Sequence, residues 1–466
     1  MPPSAATQPL VDPPVYRSAG GRLDVTLEAR VARVKVGPFE INAATYNGVY
    51  GGPVLRVRPG DVLHVRLVNH LDQSTNIHFH GLKVSPSGHA DNSMHPVMPG
   101  ETWDYVIPIP ADHPPGLYWY HTHAHQFAQR QLMAGLSGTL VIEGFQDELP
   151  ELAPLKERLM GLKDFQADEN GGLYRVLKAY HRDLRTINGQ LMPRIDIAPG
   201  ETQLWRLSNQ TANTFFRLSL EGHTFRIVGR DSEPVVHPET VQELIFGPSQ
   251  RLDVLVDGGK PGSYKLVSER TVTGPIGDEF PAQNMALMVV APPADGSPAA
   301  SVAAVPDYAY KSDLSNAKID AQRLVVFSSD DTTGLFFINH RIFDHERVDL
   351  RVPLGNTEEW TIRNSADELH IFHIHQVHFQ VMSENGRPLP FDGMVDTVTV
   401  PIHGEVKIRI AFTDPKIVGR FMFHCHILEH EDKGMMGQIE VYDPKAPAAD
   451  RDHSMDGMDG MSGGGH

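Results

Sequence analysis

Three stretches of the chain share one design, and that repeat limits the fold more than any other feature. Around Asn47 the sequence reads "YNGVYGGPVLRVRPGDVLHVRLVN", around Asn188 "INGQLMPRIDIAPGETQLWRLSN", and around Asn339 "INHRIFDHERVDLRVPLGNTEEWTIRN". Each opens on an Asn-Gly or Asn-His turn, passes an alternating segment and a Gly-containing turn, and closes on a second alternating segment ending in Asn. That is strand, turn, strand. A second element recurs as "GLYWYHTH" (Gly116 to His123), "GSYKLVSE" (Gly262 to Glu269) and "GRFMFHCH" (Gly419 to His426). The repeats start about 150 residues apart, an ordinary domain length. Gly- and Pro-rich turns separate short alternating runs, and long amphipathic helices are scarce. The expectation is an all-β chain of three Greek-key β-sandwich domains.

Linkers fit this division. "QDELPELAPLKE" (Gln146 to Glu157) is polar and Pro-bearing, and "APPADGSPAASVAAVPD" (Ala291 to Asp307) is low in complexity. The expected domains are therefore 1–147, 158–292 and 308–446. The tail 447–466 is too polar and Gly-rich to pack and is expected to be disordered.

Net charge, 41 − 58 = −17, argues against a nucleic-acid partner. No run of about 18 apolar residues offers a membrane span. The opening "MPPSAATQPLVDPP" has no apolar core and does not read as a signal peptide. A single cysteine, Cys425, forms no intramolecular disulfide, so it is inert, reactive or a ligand.

Its neighbours decide. Of 25 histidines, many fall in tight groups: "HFHG" (His78, His80), "HTH" (His121, His123), "HIFHIH" (His370, His373, His375) and "HCH" (His424, His426). Residues i and i+2 of a strand share a face, so each H-x-H unit aims two imidazoles one way, as a metal site requires. A lone strand histidine is more often structural, but four such units at matching places in two repeats are not chance. The middle repeat is an internal control, with Val267, Ser268 and Glu269 at the aligned place. Domains one and three are thus expected to carry metal, and the middle one to set their relation. In "FMFHCHI", Phe421, Phe423 and Cys425 face one way and Met422, His424 and His426 the other. One cysteine, two histidines and a weak methionine make a blue-copper electron-transfer site, and His370, Cys425, His430 and Met435 supply that set. The eight remaining histidines hold a cluster, joined to that site by the short covalent path through Cys425. Zinc, which favours closed tetrahedra often rich in cysteine, fits poorly.

On these four motifs, ending in "HCHILEHEDKGMM" (His424 to Met436), the chain closely resembles the multicopper oxidases, and among them three-domain bacterial laccases and periplasmic copper oxidases. The resemblance covers nearly the whole chain. It implies cupredoxin-like domains and four copper ions: one type 1, one type 2 and two type 3. By position, His370, Cys425 and His430 would bind type 1 copper with Met435 axial. His78 and His373 would bind type 2 copper. His80, His121, His123, His375, His424 and His426 would bind the type 3 pair. The implied reaction couples one-electron oxidations at type 1 to four-electron reduction of O₂ to water. Asp91 and Glu431 match acids that deliver protons, which O₂ reduction consumes.

His125 extends "HTHAH" but lies outside the family pattern. His64, His70, His89, His95 and His113 are expected on the surface or in turns. The segment from Gln376 to Phe423 lacks the long Met-rich insertion that covers type 1 in the cuprous oxidases. A laccase acting on phenols and aromatic amines is therefore favoured over a Cu(I) or Fe(II) oxidase. Met455, Met458 and Met461 in the tail weigh towards Cu(I). A non-catalytic copper store is weakest, since storage needs no type 1 set wired to a cluster. The family also implies a monomer located in the periplasm or secreted.

Overall fold

The computed structural model describes residues 8–166, 183–293, 296, 299–310, 312–330 and 332–446. The tail 447–466, with its expected disorder and its methionines, lies outside the described residues. Among those described, the longest helix is Ala128–Met133, and no helix is long and apolar enough to cross a membrane.

The strands form three pairs of sheets and one two-stranded ribbon, Thr271–Val272 with Glu279–Phe280, an all-β fold of three cupredoxin-like sandwiches. In the first, Val15–Arg17, Val54–Val57, Ser137–Ile142, Gly116–His121 and His78–His80 lie side by side in that order. They face a sheet of Phe39–Tyr46, Arg22–Val36, Val62–Asn69 and Thr102–Pro108. Several neighbours in space are not neighbours in sequence, Arg22–Val36 beside Val62–Asn69 and Val54–Val57 beside Ser137–Ile142 among them, as a Greek key requires. Each sandwich repeats one parallel pair: Arg22–Val36 with Val62–Asn69, Lys156–Gln166 with Thr202–Asn209, and Ala321–Asp330 with Thr357–Asn364.

The asparagines that mark the sequence repeat explain its persistence. Asn47, Asn188 and Asn339 all sit at positive φ (58°, 52° and 52°), which asparagine tolerates better than most residues. Each side chain then ties its turn back to an earlier strand. Asn47 Oδ1 accepts from Glu28 N–H at 2.7 Å, Asn188 Oδ1 from Gly161 N–H at 2.8 Å and Asn339 Oδ1 from Val326 N–H at 2.9 Å. The closing asparagines Asn69, Asn209 and Asn364 are buried and clamp the next loop. Their Nδ2 groups donate to the carbonyls of Gln73, Thr214 and Glu368 at 2.9, 2.9 and 2.7 Å. In the first and third sandwiches, the strand after that loop carries histidines.

Each sandwich has its own core, built from alternate strand positions. Phe79, Tyr105 and Tyr120 lie in the first, Trp205, Phe216 and Val254 in the second, and Trp360, Phe372 and Phe423 in the third. Burying each such aromatic contributes about 1.5–3 kcal/mol. One expectation is corrected. The stretch after Gln146, read as a polar linker, is short helix (Phe145–Glu148, Pro150–Leu152) and buries Leu149, Leu152 and Leu155 against Leu204, Val228 and Leu255. Its leucines recur every third residue and so share a face, which the intervening acids hide from a reading of composition.

Candidate metal centre

The third sandwich positions Cys425 by strand pairing. Gly419–Cys425 lies antiparallel to His370–Ile374, with Phe372 opposite Cys425 and His373 opposite His424. Phe421, Phe423 and Cys425 enter the core of that sandwich. The first sandwich pairs His78 with His121 and His80 with Trp119 across adjacent strands. Of the four H-x-H units, only His78 with His80 lies wholly within a strand. His123, His375 and His426 fall just past strand ends, yet ring centroids within each H-x-H unit stay 5.1–6.1 Å apart.

At the thiol, Cys425 Sγ lies 3.5 Å from His370 Nδ1 and 3.7 Å from His430 Nδ1, and the two nitrogens are 3.1 Å apart. All three residues are buried. His430 comes from the short helix Leu428–Asp432, and Phe336 stacks on its ring at 3.9 Å. Met435 is fully buried in the same core, and its carbonyl accepts the Cys425 N–H at 3.1 Å. Burial pushes the thiol up to about 12 and His370 down to about 3, leaving a neutral imidazole lone pair facing a soft sulfur. Metal binding here would release the thiol proton.

The other eight motif histidines converge where the first sandwich meets the third. His123 and His375 each bring Nε2 to 3.3 Å from His424 Nε2. His78, His80 and His121 form a second close group, and His78, His373 and His375 a third. His426 completes the wall, its ring 5.1 Å from His80 and 5.3 Å from His121. The rings of His121 and His123 serve different groups, whereas His78 and His80 share one group and His373 and His375 another. His78 Nε2, His80 Nδ1, His121 Nε2, His373 Nε2 and both nitrogens of His426 are buried without a hydrogen-bond partner in the protein. Buried polar atoms are rarely left so. Burial holds His78, His121, His373, His375 and His426 well below the usual histidine range, hence neutral. Neutral imidazoles with converging lone pairs fit copper ions.

Asp91 and Glu431 lie against this cluster on different sides. Asp91 Oδ2 is 3.1 Å from His78 Nδ1, and the carboxylate accepts from Phe79 N–H (2.9 Å) and the Gln376 amide (2.6 Å). Burial outweighs these hydrogen bonds and raises Asp91 to about 7. Glu431 Oε2 is 3.0 Å from His424 Nδ1, though out of hydrogen-bond alignment, and Oε1 is 3.6 Å from His123 Nε2. Burial opposes ionisation of Glu431, but the facing His123 and His424 win and lower it to about 2.

Three residues were invisible in the motifs. Asp396 is buried 3.0 Å from His80 Nε2, and its carbonyl lies 2.8 Å from His373 Nδ1. Arg251 of the middle sandwich binds Asp396, and Glu368 Oε1 lies 3.5 Å from His430 Nε2. No local pattern announces them; only strand packing brings them in. His113, expected on the surface or in a turn, is corrected: it is buried, its Nε2 accepting from Lys83 N–H at 3.0 Å. His125 is exposed and touches Phe343, apart from the cluster.

A thiol with two imidazoles selects copper, and an eight-histidine cluster reached through the next residue suits a multi-electron acceptor; together they define a copper oxidase. The chain belongs to the multicopper oxidase family, copper-dependent oxidoreductases that use O₂ and carry four copper ions, and multicopper oxidase models match residues 30–147, 119–291 and 317–445. It is 27% identical over 422 residues to a multicopper oxidase of Staphylococcus haemolyticus, spanning 86% of this chain and 84% of that one. A multicopper oxidase from Campylobacter jejuni, described as a metallo-oxidase, is 29% identical with a TM-score of 0.81, covering 94% of this chain and 96% of that one. A laccase-like enzyme from Ochrobactrum sp., described as oxidising lignin model compounds and lignosulfonate, is 26% identical with a TM-score of 0.78, covering 93% of this chain and all of that one.

Proposed function

We infer that the protein is a laccase-type oxidase that removes single electrons from phenols and aromatic amines. The observation that carries this reading is the rim of His430. Leu335 and Ile342 expose apolar surface beside Phe336, which stacks on the imidazole. A Cβ at Gly434, four residues beyond His430, would meet the Phe336 carbonyl at 2.8 Å and Ile342 at 2.9 Å, so both lie close to that turn. The segment from Gln376 to Phe423 forms short strands and one 3-10 turn and carries no long Met-rich insertion. A flat aromatic donor fits such a lip, with the Glu368 carboxylate beside His430 Nε2 as acceptor for its O–H or N–H.

In this reading His370, Cys425, His430 and Met435 hold type 1 copper, His78 and His373 the type 2 ion, and His80, His121, His123, His375, His424 and His426 the type 3 pair. When bound, copper at these residues would supply one-electron redox chemistry and the means to reduce O₂ to water. The chain's own groups do the rest. The Cys425 backbone links type 1 directly to His424 and His426. Asp91, which hydrogen-bonds His78, and Glu431, which faces His123 and His424, pass protons to the cluster. The domains divide as 1–147, 158–292 and 308–446. The protein works as a monomer in the periplasm or outside the cell.

A Cu(I) or Fe(II) oxidase is the second reading, favoured for Fe(II) by the same Glu368 carboxylate, an oxygen ligand that suits Fe(II) and not soft Cu(I), and by the likeness to the Campylobacter jejuni metallo-oxidase. Steady-state kinetics decide: kcat/KM for a phenol and a non-phenolic dye beside Cu(I) and Fe(II), all by O₂ uptake. Higher kcat/KM for the metal ions than for every organic donor would overturn the laccase reading.

A further inference from the structure

The middle sandwich offers no proposed copper ligand, yet one of its side chains ends in the cluster wall. Arg251, first residue of the strand Arg251–Asp257, is buried. Its guanidinium forks onto Asp396 of the third sandwich, Nη1 to Oδ1 at 2.8 Å and Nη2 to Oδ2 at 2.6 Å. The remaining donors are also engaged: Nη2 with Ser232 Oγ at 2.8 Å, Nε with the Leu117 carbonyl at 3.3 Å and Nη1 with the Ser249 carbonyl at 3.2 Å. Asp396 in turn reaches a histidine of the first sandwich and one of its own. Its Oδ1 takes His80 Nε2 of the first, and its carbonyl takes His373 Nδ1 of the third. Those two rings stack 3.9 Å apart, so one carboxylate and its peptide fix a matched pair.

The choice of nitrogen makes this more than bracing. His78, His121 and His373 engage Nδ1 and leave Nε2 unpartnered, whereas His80 engages Nε2 and leaves Nδ1. Flipping the His80 ring about its Cβ–Cγ bond would put Cδ2 and Cε1 where Nδ1 and Nε2 now stand, and the Asp396 bond to Nε2 opposes that flip and keeps Nδ1 turned to the cluster. The motif glycine belongs to the same device. Gly81 has φ +85°, and a Cβ there would lie 2.6 Å from Asp396 Oδ2 and 3.0 Å from Arg251 Nη2. Replacing a buried ion pair with apolar residues is often neutral for stability, so stability alone gives little reason for this one.

We propose that Arg251 is a positioning residue for the histidine cluster: acting through Asp396, it selects Nδ1 as the donor of His80 and seats His80 against His373, leaving the type 1 site independent. This rests on the reading that the eight histidines hold the cluster copper. The test is copper retained per chain at graded chelator concentrations, with blue absorption and copper-free thermal unfolding measured alongside. Arg251→Met alone would strand the buried Asp396 carboxylate, whereas buried Asp231, 3.4 Å from the guanidinium, still accepts the backbone N–H of residue 251 at 2.9 Å, so the main variant is the double change Arg251→Met with Asp396→Leu. It is expected to fold, to melt near the unaltered protein when copper-free and to keep its blue absorption, while its cluster binds copper about 10- to 100-fold more weakly. Arg251→Lys, whose ammonium cannot fork onto both oxygens, should weaken cluster copper less. It carries the test alone if the double variant does not fold. Cluster copper held as tightly as in the unaltered protein, or blue absorption lost in step with it, would overturn the proposal. Unaltered protein that takes up no copper beyond the blue site would instead overturn the reading of the histidines.

Discussion

Cys425 and its ring of donors give the sharpest expectations at the scale of single residues. Its sulfur sits within 3.7 Å of two imidazole nitrogens, so a Cu–thiolate bond there should colour the loaded enzyme blue. Cys425→Ser should abolish that absorption and nearly all oxidation while circular dichroism stays unchanged; a variant that keeps the band refutes the assignment. Met435 is buried beside that site, and a thioether contact is weak. Met435→Leu should therefore keep copper and raise the reduction potential, because losing a donor disfavours Cu(II). Redox titration reads the shift, and a lower potential would point to Met436 instead. Asp91→Asn and Glu431→Gln should each cut turnover by about 10²- to 10⁴-fold with the blue absorption intact, as the loss of a proton-transfer group does. A purely orienting role would instead show as copper loss in the chelator titration.

Among elements, the loops closed by asparagine decide where the histidines stand. Asn364 Nδ2 donates to the Glu368 carbonyl and its Oδ1 accepts from Ala366 N–H at 2.8 Å, which shapes the turn just before His370. Asn364→Ala leaves that buried carbonyl without this donor and should cost about 1–3 kcal/mol. The blue absorption should weaken with it, since His370 begins the next strand; calorimetry and absorption read the two effects together. The repeat was legible because these asparagines recur in sequence, and the H-x-H units because strand alternation has period two. Which ring nitrogen each histidine presents was not legible. That choice depends on partners such as Thr122 O, Asp396 and Asp91, which lie between 1 and 316 positions away.

Viewed as a whole, the molecule is held at buried polar junctions between sandwiches. Lys83 of the first and His378 of the third each reach Glu233 Oε1 of the middle at 2.8 Å. Lys163 of the middle sandwich is buried against the first, near the Gly135 carbonyl at 3.5 Å and bonded to Ser137 Oγ. Burial, opposed by the neighbouring Asp164, lowers Lys163 from 10.5 to about 7. Between those values the unfolded chain binds a proton that the folded one does not, so stability rises with pH across that window. Below about 7 the full cost of burying the ammonium remains. Lys163→Met should therefore gain stability over the unaltered, copper-free protein by about 2–3 kcal/mol more at pH 6 than at pH 9. Melting temperatures at the two pH values test it, and an equal gap at both would show that Lys163 stays charged. Stripping copper with a reductant and chelator should lower the melting temperature, by about 2.7 kcal/mol of stability for ions held at a hundred times their Kd. Restored copper should restore it.

The sequence alone determined the period-two strands, the threefold repeat and the identities of the clustered histidines and Cys425, because those are properties of near neighbours along the chain. It also showed that the middle repeat lacks the motif. Only the tertiary structure decided that Arg251 of that same repeat reaches Asp396, that Glu368 borders His430, and that His80 turns its ring opposite to His78. These contacts join residues up to 316 positions apart, and no local periodicity encodes them. They arise where three separately folded cores press their polar edges together, and burial there forces each charge to find a partner.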